Sequence, residues 1–204
     1  MKQYQTNNQQ RKCIAITGGI GSGKSTVLNL IKQLGYPVFS CDEIYRELRN
    51  TKEYLLGLKE LFPQIFANEN ADFKKLAQIV FENKNQLLKL NSYAHPLIVK
   101  RLLGNINQIE GISFAEVPLL FESNLAEFFD YIIILKRAKQ ERIESVRKRD
   151  GISEEEVLNR ISNQFDYENN DFSNQKNIFI LDNNQTLKEL NSKLEEIIIR
   201  ITQS

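Results

Sequence analysis

The chain alternates short, wholly apolar runs with longer stretches in which apolar residues recur every three or four positions. Five runs read as strands: KCIAIT (12–17), PVFS (37–40), GISFAEV (111–117), YIIIL (131–135) and NIFIL (177–181). Most lack the in–out alternation of a half-exposed strand, so they predict a parallel sheet covered on both faces. The helical period is clear after the first strand, where Leu28, Ile31 and Leu34 share one side of a helix over 25–34 that stops at Gly35. A last helix opens on TLKE, a capping box at Thr186 and Glu189, and then spaces Leu187, Leu190, Leu194 and Ile197 at three and four. SEEE forms a second such box at Ser153 and Glu156.

Two stretches exceed what a simple strand–helix–strand crossover needs. Between the second and third strands, helical patterns are broken near Pro63, near ANENAD and near Pro96. They predict a helical subdomain over about 43–110, inserted into a core of 12–42, 111–135 and 166–204. Between the fourth and fifth strands, about 136–165 is dense in charge and mostly helical, as a mobile cover would be. The first eleven residues, MKQYQTNNQQR, are polar and aperiodic and read as a disordered tail.

Composition narrows the setting. With 204 residues, 41% of them hydrophobic, the chain suits one domain with an inserted subdomain. Lys plus Arg number 27 against 26 Asp plus Glu, so no general cationic pull towards nucleic acid or a membrane is expected, and anion binding must be local. Cys13 and Cys41 have no spacing partner, no apolar leader is visible, and the apolar runs are too short to span a bilayer. The expectation is a soluble cytoplasmic protein, a monomer or weak homo-oligomer.

That local anion site is conspicuous. Gly18, four residues, then Gly23, Lys24 and Ser25 fit the phosphate-loop pattern between an apolar strand and a helix. Backbone N–H groups can wrap a phosphate chain only where no Cβ intrudes and φ can turn positive, which suits Gly18, Gly19, Gly21 and Gly23. The following helix aims its positive dipole end at the anion. Lys24 can reach the β- and γ-phosphates, and the Ser25 hydroxyl can ligate Mg²⁺. The expected ATP-binding residues are Gly19, Ile20, Gly21, Ser22, Gly23, Lys24, Ser25 and Thr26. The Gly-Lys-Ser ending excludes a dinucleotide fold, and no N-K-x-D stretch reads guanine. Two insertions, one for an acceptor and one for a cover, point to a small-molecule kinase.

Longer motifs sharpen this. ITGGIGSGKSTV, FSCDEIYREL, HPLI (95–98), VPLLFE (117–122), RKRDGIS (147–153) and ILDNN (180–184) fall in the order found in dephospho-CoA kinases, and the chain resembles that family from about residue 12 onwards. The resemblance implies an α/β fold: a five-stranded parallel-sheet P-loop kinase core flanked by helices, with an inserted helical acceptor-binding subdomain and a helical lid. It implies that ATP phosphorylates the 3′-hydroxyl of the ribose of dephospho-CoA, with Mg²⁺, giving coenzyme A and ADP. Another P-loop nucleotide or small-metabolite kinase is the alternative, and a nucleotide-binding regulator without transferase activity is a third reading.

Carried onto these residues, the family makes Asp42 the carboxylate that orients the acceptor hydroxyl and takes its proton late. The plainer reading of Asp42 is an N-cap for the helix EIYREL. His95, at what reads as a helix start, becomes a ligand of dephospho-CoA, its plainer reading being capping or packing; Leu119 and Phe121 become apolar walls of the acceptor site. Arg149 would close on the ATP phosphates, although arginines in RKRD otherwise read as a solvated helix face. Arg142, Ser145 and Arg149 share that face by spacing. Many relatives carry arginine where this chain has Ser145, a gap that Arg142 or Arg147 could fill. Asn183 lies near the expected adenine site, or simply in a turn. Glu116 is either a Mg²⁺-organising acid or a strand-end charge, and Glu122 either a pocket carboxylate or a charge at a helix start.

Overall fold

Three central strands explain why the apolar runs carry no alternation. The structure is a computed structural model, and it describes residues 11–203; the tail expected at the start of the chain lies, but for Arg11, outside them. Strands β1 (Lys12–Gly18), β5 (Ile112–Glu116) and β6 (Tyr131–Lys136) occupy the middle of a five-stranded sheet, and their inner residues are buried throughout. At the edges, β2 (Val38–Ser40) and β7 (Ile178–Asp182) are partly open, and Ile180 on β7 is exposed. The order is β2-β5-β1-β6-β7. Parallel register sets Ile16 beside Glu116 on one side and Ile133 on the other.

Helices α1 (Lys24–Gln33) and α8 (Leu187–Gln203) cover the sheet with Val27, Leu28, Ile31, Leu190, Leu194 and Ile201 against Ile14, Ile16, Phe114 and Leu135. Both expected capping boxes form. Glu189 Oε2 accepts from the Thr186 N–H at 3.0 Å, and Ser153 and Glu156 cap each other at the start of α7 (Glu154–Ser162). Helix α6 (Lys139–Asp150) and α7 share a small core of Ile143, Val146 and Val157, into which the side chain of Ile20 also packs.

The described residues divide into two compact units: those up to Phe39 together with those from Ile109 onwards, and Ser40–Gln108. The second unit holds α2 (Cys41–Leu48), α3 (Lys52–Leu61), α4 (Phe73–Glu82) and α5 (Lys84–Ile106). A hairpin of β3 (Phe66–Ala67) and β4 (Asn70–Ala71) occupies the ANENAD stretch. Its own core is Tyr54, Leu58, Phe62, Ile65, Leu76, Leu90 and Ala94. Two expectations are corrected here. Pro96 does not break a helix, because α5 runs through it for 23 residues. Proline removes one backbone bond and crowds the preceding turn, and buried Leu90, Ala94, Leu102 and Ile106 on either side hold the helix together. His95 therefore sits in mid-helix rather than at a start. No helix among the described residues is long and apolar enough to cross a membrane.

Candidate active site

Strand β1 ends at Gly18 and α1 begins at Lys24, so residues 19–23 form the turn that the phosphate-loop pattern requires. The turn is closed from within: the Ser22 N–H donates to Gly19 O at 3.2 Å, and the Thr26 and Val27 N–H groups both donate to Gly23 O. Gly21 (φ +77) and Gly23 (φ +98) lie in the left-handed region, where side chains are strained. Gly19 is different. Its backbone is not left-handed, but a Cβ there would collide with the Arg142 guanidinium. At Gly19 the neighbouring side chain acts without a positive φ, whereas Gly23 has both a positive φ and the Asn183 side chain against it.

Lys24 Nζ donates to Gly18 O at 2.8 Å and to Gly19 O at 3.2 Å, which holds the ammonium over the turn. Ser25 and Thr26 are exposed in the first turn of α1. Asn183 braces the loop from the end of β7: its N–H donates to Lys136 O and its Nδ2 to Ser22 O, both at 2.8 Å. Arg137 Nη1 adds a longer contact to Gly21 O.

The arginines of α6 part company. Arg142 is 5% exposed, and its Nε donates to Ile20 O at 3.0 Å while Nη1 donates to Glu168 Oε1 at 2.8 Å. Burial pulls its pKa down and Glu168 pushes it back; a guanidinium stays charged regardless. Arg149 lies on the exposed end of the helix with 61% of its side chain open, forking Nε and Nη2 onto Asp150. Arg147 is also half-open and approaches Glu154 at 3.6 Å. Of the two residues offered as substitutes at the Ser145 gap, Arg142 is the one packed on the loop. Arg142 and Arg149 do share a face, but seven residues rise about 10 Å along a helix.

Asp42 occupies the second position of α2, exposed, two residues past the end of β2. Ser40 holds the N-cap position, so the capping role weighed for Asp42 falls away. His95 is half-buried in α5, and burial lowers its pKa from the ordinary 6.5. Its imidazole is neutral at pH 7, able to donate one hydrogen bond and accept another. Leu119 is partly buried in the turn after β5. The Phe121 ring stacks on Phe165 at 4.6 Å and on Phe172 at 5.6 Å, and Phe165 and Phe172 also touch each other, so the three rings form one cluster. Glu122 Oε1 accepts the Phe165 N–H at 2.8 Å. Glu116 is buried at the end of β5.

Sequence reading missed Gln164, Tyr167 and Glu168. Gln164 Oε1 accepts the Ile20 N–H at 2.8 Å, and the Tyr167 hydroxyl pairs with Thr17 Oγ1 at the same distance. Burial pushes the Tyr167 hydroxyl up to about 12, so it stays protonated. The available signal was NQFDYENNDF, where Phe165, Tyr167 and Phe172 punctuate an otherwise polar stretch. Aromatic residues at such spacing mark a segment packed down against something.

No cluster of three or more ligating His, Cys, Asp or Glu occurs among the described residues. The exposed Ser25 hydroxyl and the Glu116 carboxylate are oxygen donors. Sparse oxygens suit Mg²⁺, which takes one or two protein ligands and fills the rest with water and substrate phosphates.

Comparison with known proteins agrees in one direction. The family model for dephospho-CoA kinase matches residues 12–189. A dephospho-CoA kinase of Thermus thermophilus is 33% identical over 190 residues, covering 93% of this chain and 91% of that one. A crystal structure from Thermus thermophilus superposes with a TM-score of 0.78 at 32% identity, over 95% of this chain and all of the other. A dephospho-CoA kinase structure from Campylobacter jejuni gives 0.68 at 26% identity, over 94% and 97%.

Proposed function

The chain belongs to the dephospho-CoA kinase family, and from that premise we propose how its own residues divide the reaction. As a member it transfers a phosphoryl group from ATP to dephospho-CoA in coenzyme A biosynthesis. In this reading the acceptor is the 3′-hydroxyl of the ribose, and the step is the last of that synthesis. The observation that carries it is the turn at 19–23, with Lys24 held over it and α1 opening behind it.

The amides of the turn and Lys24 bind the β- and γ-phosphates. Ser25 would hold Mg²⁺, which when bound neutralises charge on those phosphates; Glu116 is the acid available to support it. Asp42 accepts a hydrogen bond from the ribose hydroxyl and aligns it with the γ-phosphorus. As the bond from phosphorus to the departing ADP oxygen breaks and the one to the ribose oxygen forms, Asp42 takes the hydroxyl proton. Neutral His95 hydrogen-bonds the acceptor, Leu119 lends it an apolar wall, and Asn183 stands at the adenine end. Arg142, rather than Arg149, supplies the cationic contact to the transferring group. The setting proposed for all this is the cytoplasm.

The test measures ADP release with dephospho-CoA and locates the new phosphate by NMR. The expected result is ADP with this acceptor and none with nucleoside monophosphates, shikimate or gluconate, and a phosphate on the 3′-oxygen. Phosphate elsewhere, or no acceptor dependence, would overturn the reading. Asp42→Asn should cut kcat by about 10²-fold or more while ATP affinity holds. Survival of kcat within about tenfold would remove Asp42 from the chemistry.

A further inference from the structure

The five residues 164–168 follow α7 as a strap, and three of them hold β1, the phosphate loop and Arg142. Gln164 takes the Ile20 N–H and Tyr167 takes Thr17, both onto the β1–loop segment. Glu168 differs, because its partner is the Arg142 side chain. The arginine is almost wholly buried, whereas the Glu168 side chain is 52% exposed. An ion pair with one half in water adds little to stability. What it can add is orientation. A guanidinium is a rigid plane, and contacts at two of its nitrogens fix both the plane and its rotation. Nε is fixed by Ile20 O and Nη1 by Glu168, which leaves Nη2 against Gly19 in the loop.

We propose that Glu168 is a positioning residue for phosphoryl transfer, setting the rotation of the Arg142 guanidinium so that Nη2 faces the phosphate loop. The role rests on the phosphate-loop reading above. Glu168 touches neither nucleotide nor acceptor in this account; it acts through Arg142. Loss of the carboxylate leaves the cation in place on Ile20 O but free to rotate about that contact. ATP still binds, held by loop amides and Lys24, while the transition state loses an aligned donor. A purely structural tie would behave otherwise, since Gln164 and Tyr167 already fasten the strap.

Steady-state kinetics on the full chain with ATP and dephospho-CoA separates these. Glu168→Ala should lower kcat about tenfold, the worth of one charge-assisted hydrogen bond, with KM for ATP within about twofold. Glu168→Gln keeps an acceptor at the same reach and should recover kcat to within about threefold of the parent. In an Arg142→Lys background, Glu168→Ala should cost less than about twofold, because the group it orients is gone. The proposal is overturned by a kcat within about twofold of the parent in Glu168→Ala, by a loss carried in KM for ATP, or by an undiminished tenfold cost beside Lys at 142. If Glu168→Ala does not fold, Glu168→Gln is measured in both backgrounds, and its cost must vanish in the Lys one. Lys24→Ala is run alongside. Its failure to lose transfer would sink the phosphate-loop reading itself, whereas an inactive Lys24→Ala with no Arg142–Glu168 coupling sinks only the positioning role.

Discussion

Arg142 and Arg149 stand two turns apart on one face of one helix, yet they live in different media. Arg142 is enclosed by Ile20, Gly19 and Glu168, with its Nε committed to a backbone carbonyl. Arg149 lies open to solvent and shares Asp150 with Arg160. The first is removed from water, where an electrostatic interaction is strong and leaving a partner unmet is costly. The second exchanges water for a carboxylate and gains little. Same residue type, same face and same formal charge predict equal roles; burial separates them.

The difference is broken most directly at Arg142. Arg142→Ala should lower kcat by about 10³-fold, as loss of a transition-state arginine does in phosphate-loop enzymes, with Tm measured beside it to verify the fold. A loss below about tenfold would put Arg142 among structural residues.

Gly19→Ala sharpens the same point, because its Cβ would enter the space of the Arg142 guanidinium. Its backbone needs no glycine, so the expected defect is displacement of the arginine and a kcat loss of about 10–10²-fold. In an Arg142→Ala background the substitution should then cost almost nothing. A full cost there would mean that the loop wants glycine at 19 for its phosphate, whatever Arg142 does. Arg149→Ala, at the other end, should leave kcat within about twofold and stability within about 1 kcal/mol. A larger loss of turnover would return the cationic role to the helix end.

These two arginines also mark how far the sequence could be read. The phosphate loop was visible because its parts are local: four glycines, a lysine and a serine within eight residues of a strand end. Strands announced themselves by burial, and capping boxes by residues three apart. Pro96 misled because a proline's local cost is outweighed by a long buried helix face. The contacts that distinguish Arg142 are polar and distant: its Nε reaches Ile20 O across 122 positions and its Nη1 reaches Glu168 across 26. Polar pairs of that separation leave no period in a sequence. Asp42 and His95 stand between these cases, since their chemistry is clear while the roles proposed for them come from family resemblance.

The smallest effect belongs to Asp150, and its pH dependence gives it a sign. Hydrogen bonds and charge from Arg149, then from Arg160, hold its carboxyl below the usual aspartate value. A carboxyl depressed by folding contributes stability above its unfolded pKa, about 4, and loses it as pH falls through the lower folded value. Asp150→Asn should therefore lower Tm slightly at pH 7, by the equivalent of less than about 1 kcal/mol. The gap from the parent should close as pH drops well below 4, where the parent carboxyl is also neutral. Added salt should shrink it further, because the pair lies near water. A gap that persisted at low pH would point to shape rather than charge at Asp150, and a gap of several kcal/mol would mean that the helix end is as enclosed as the loop, erasing the contrast between the two arginines.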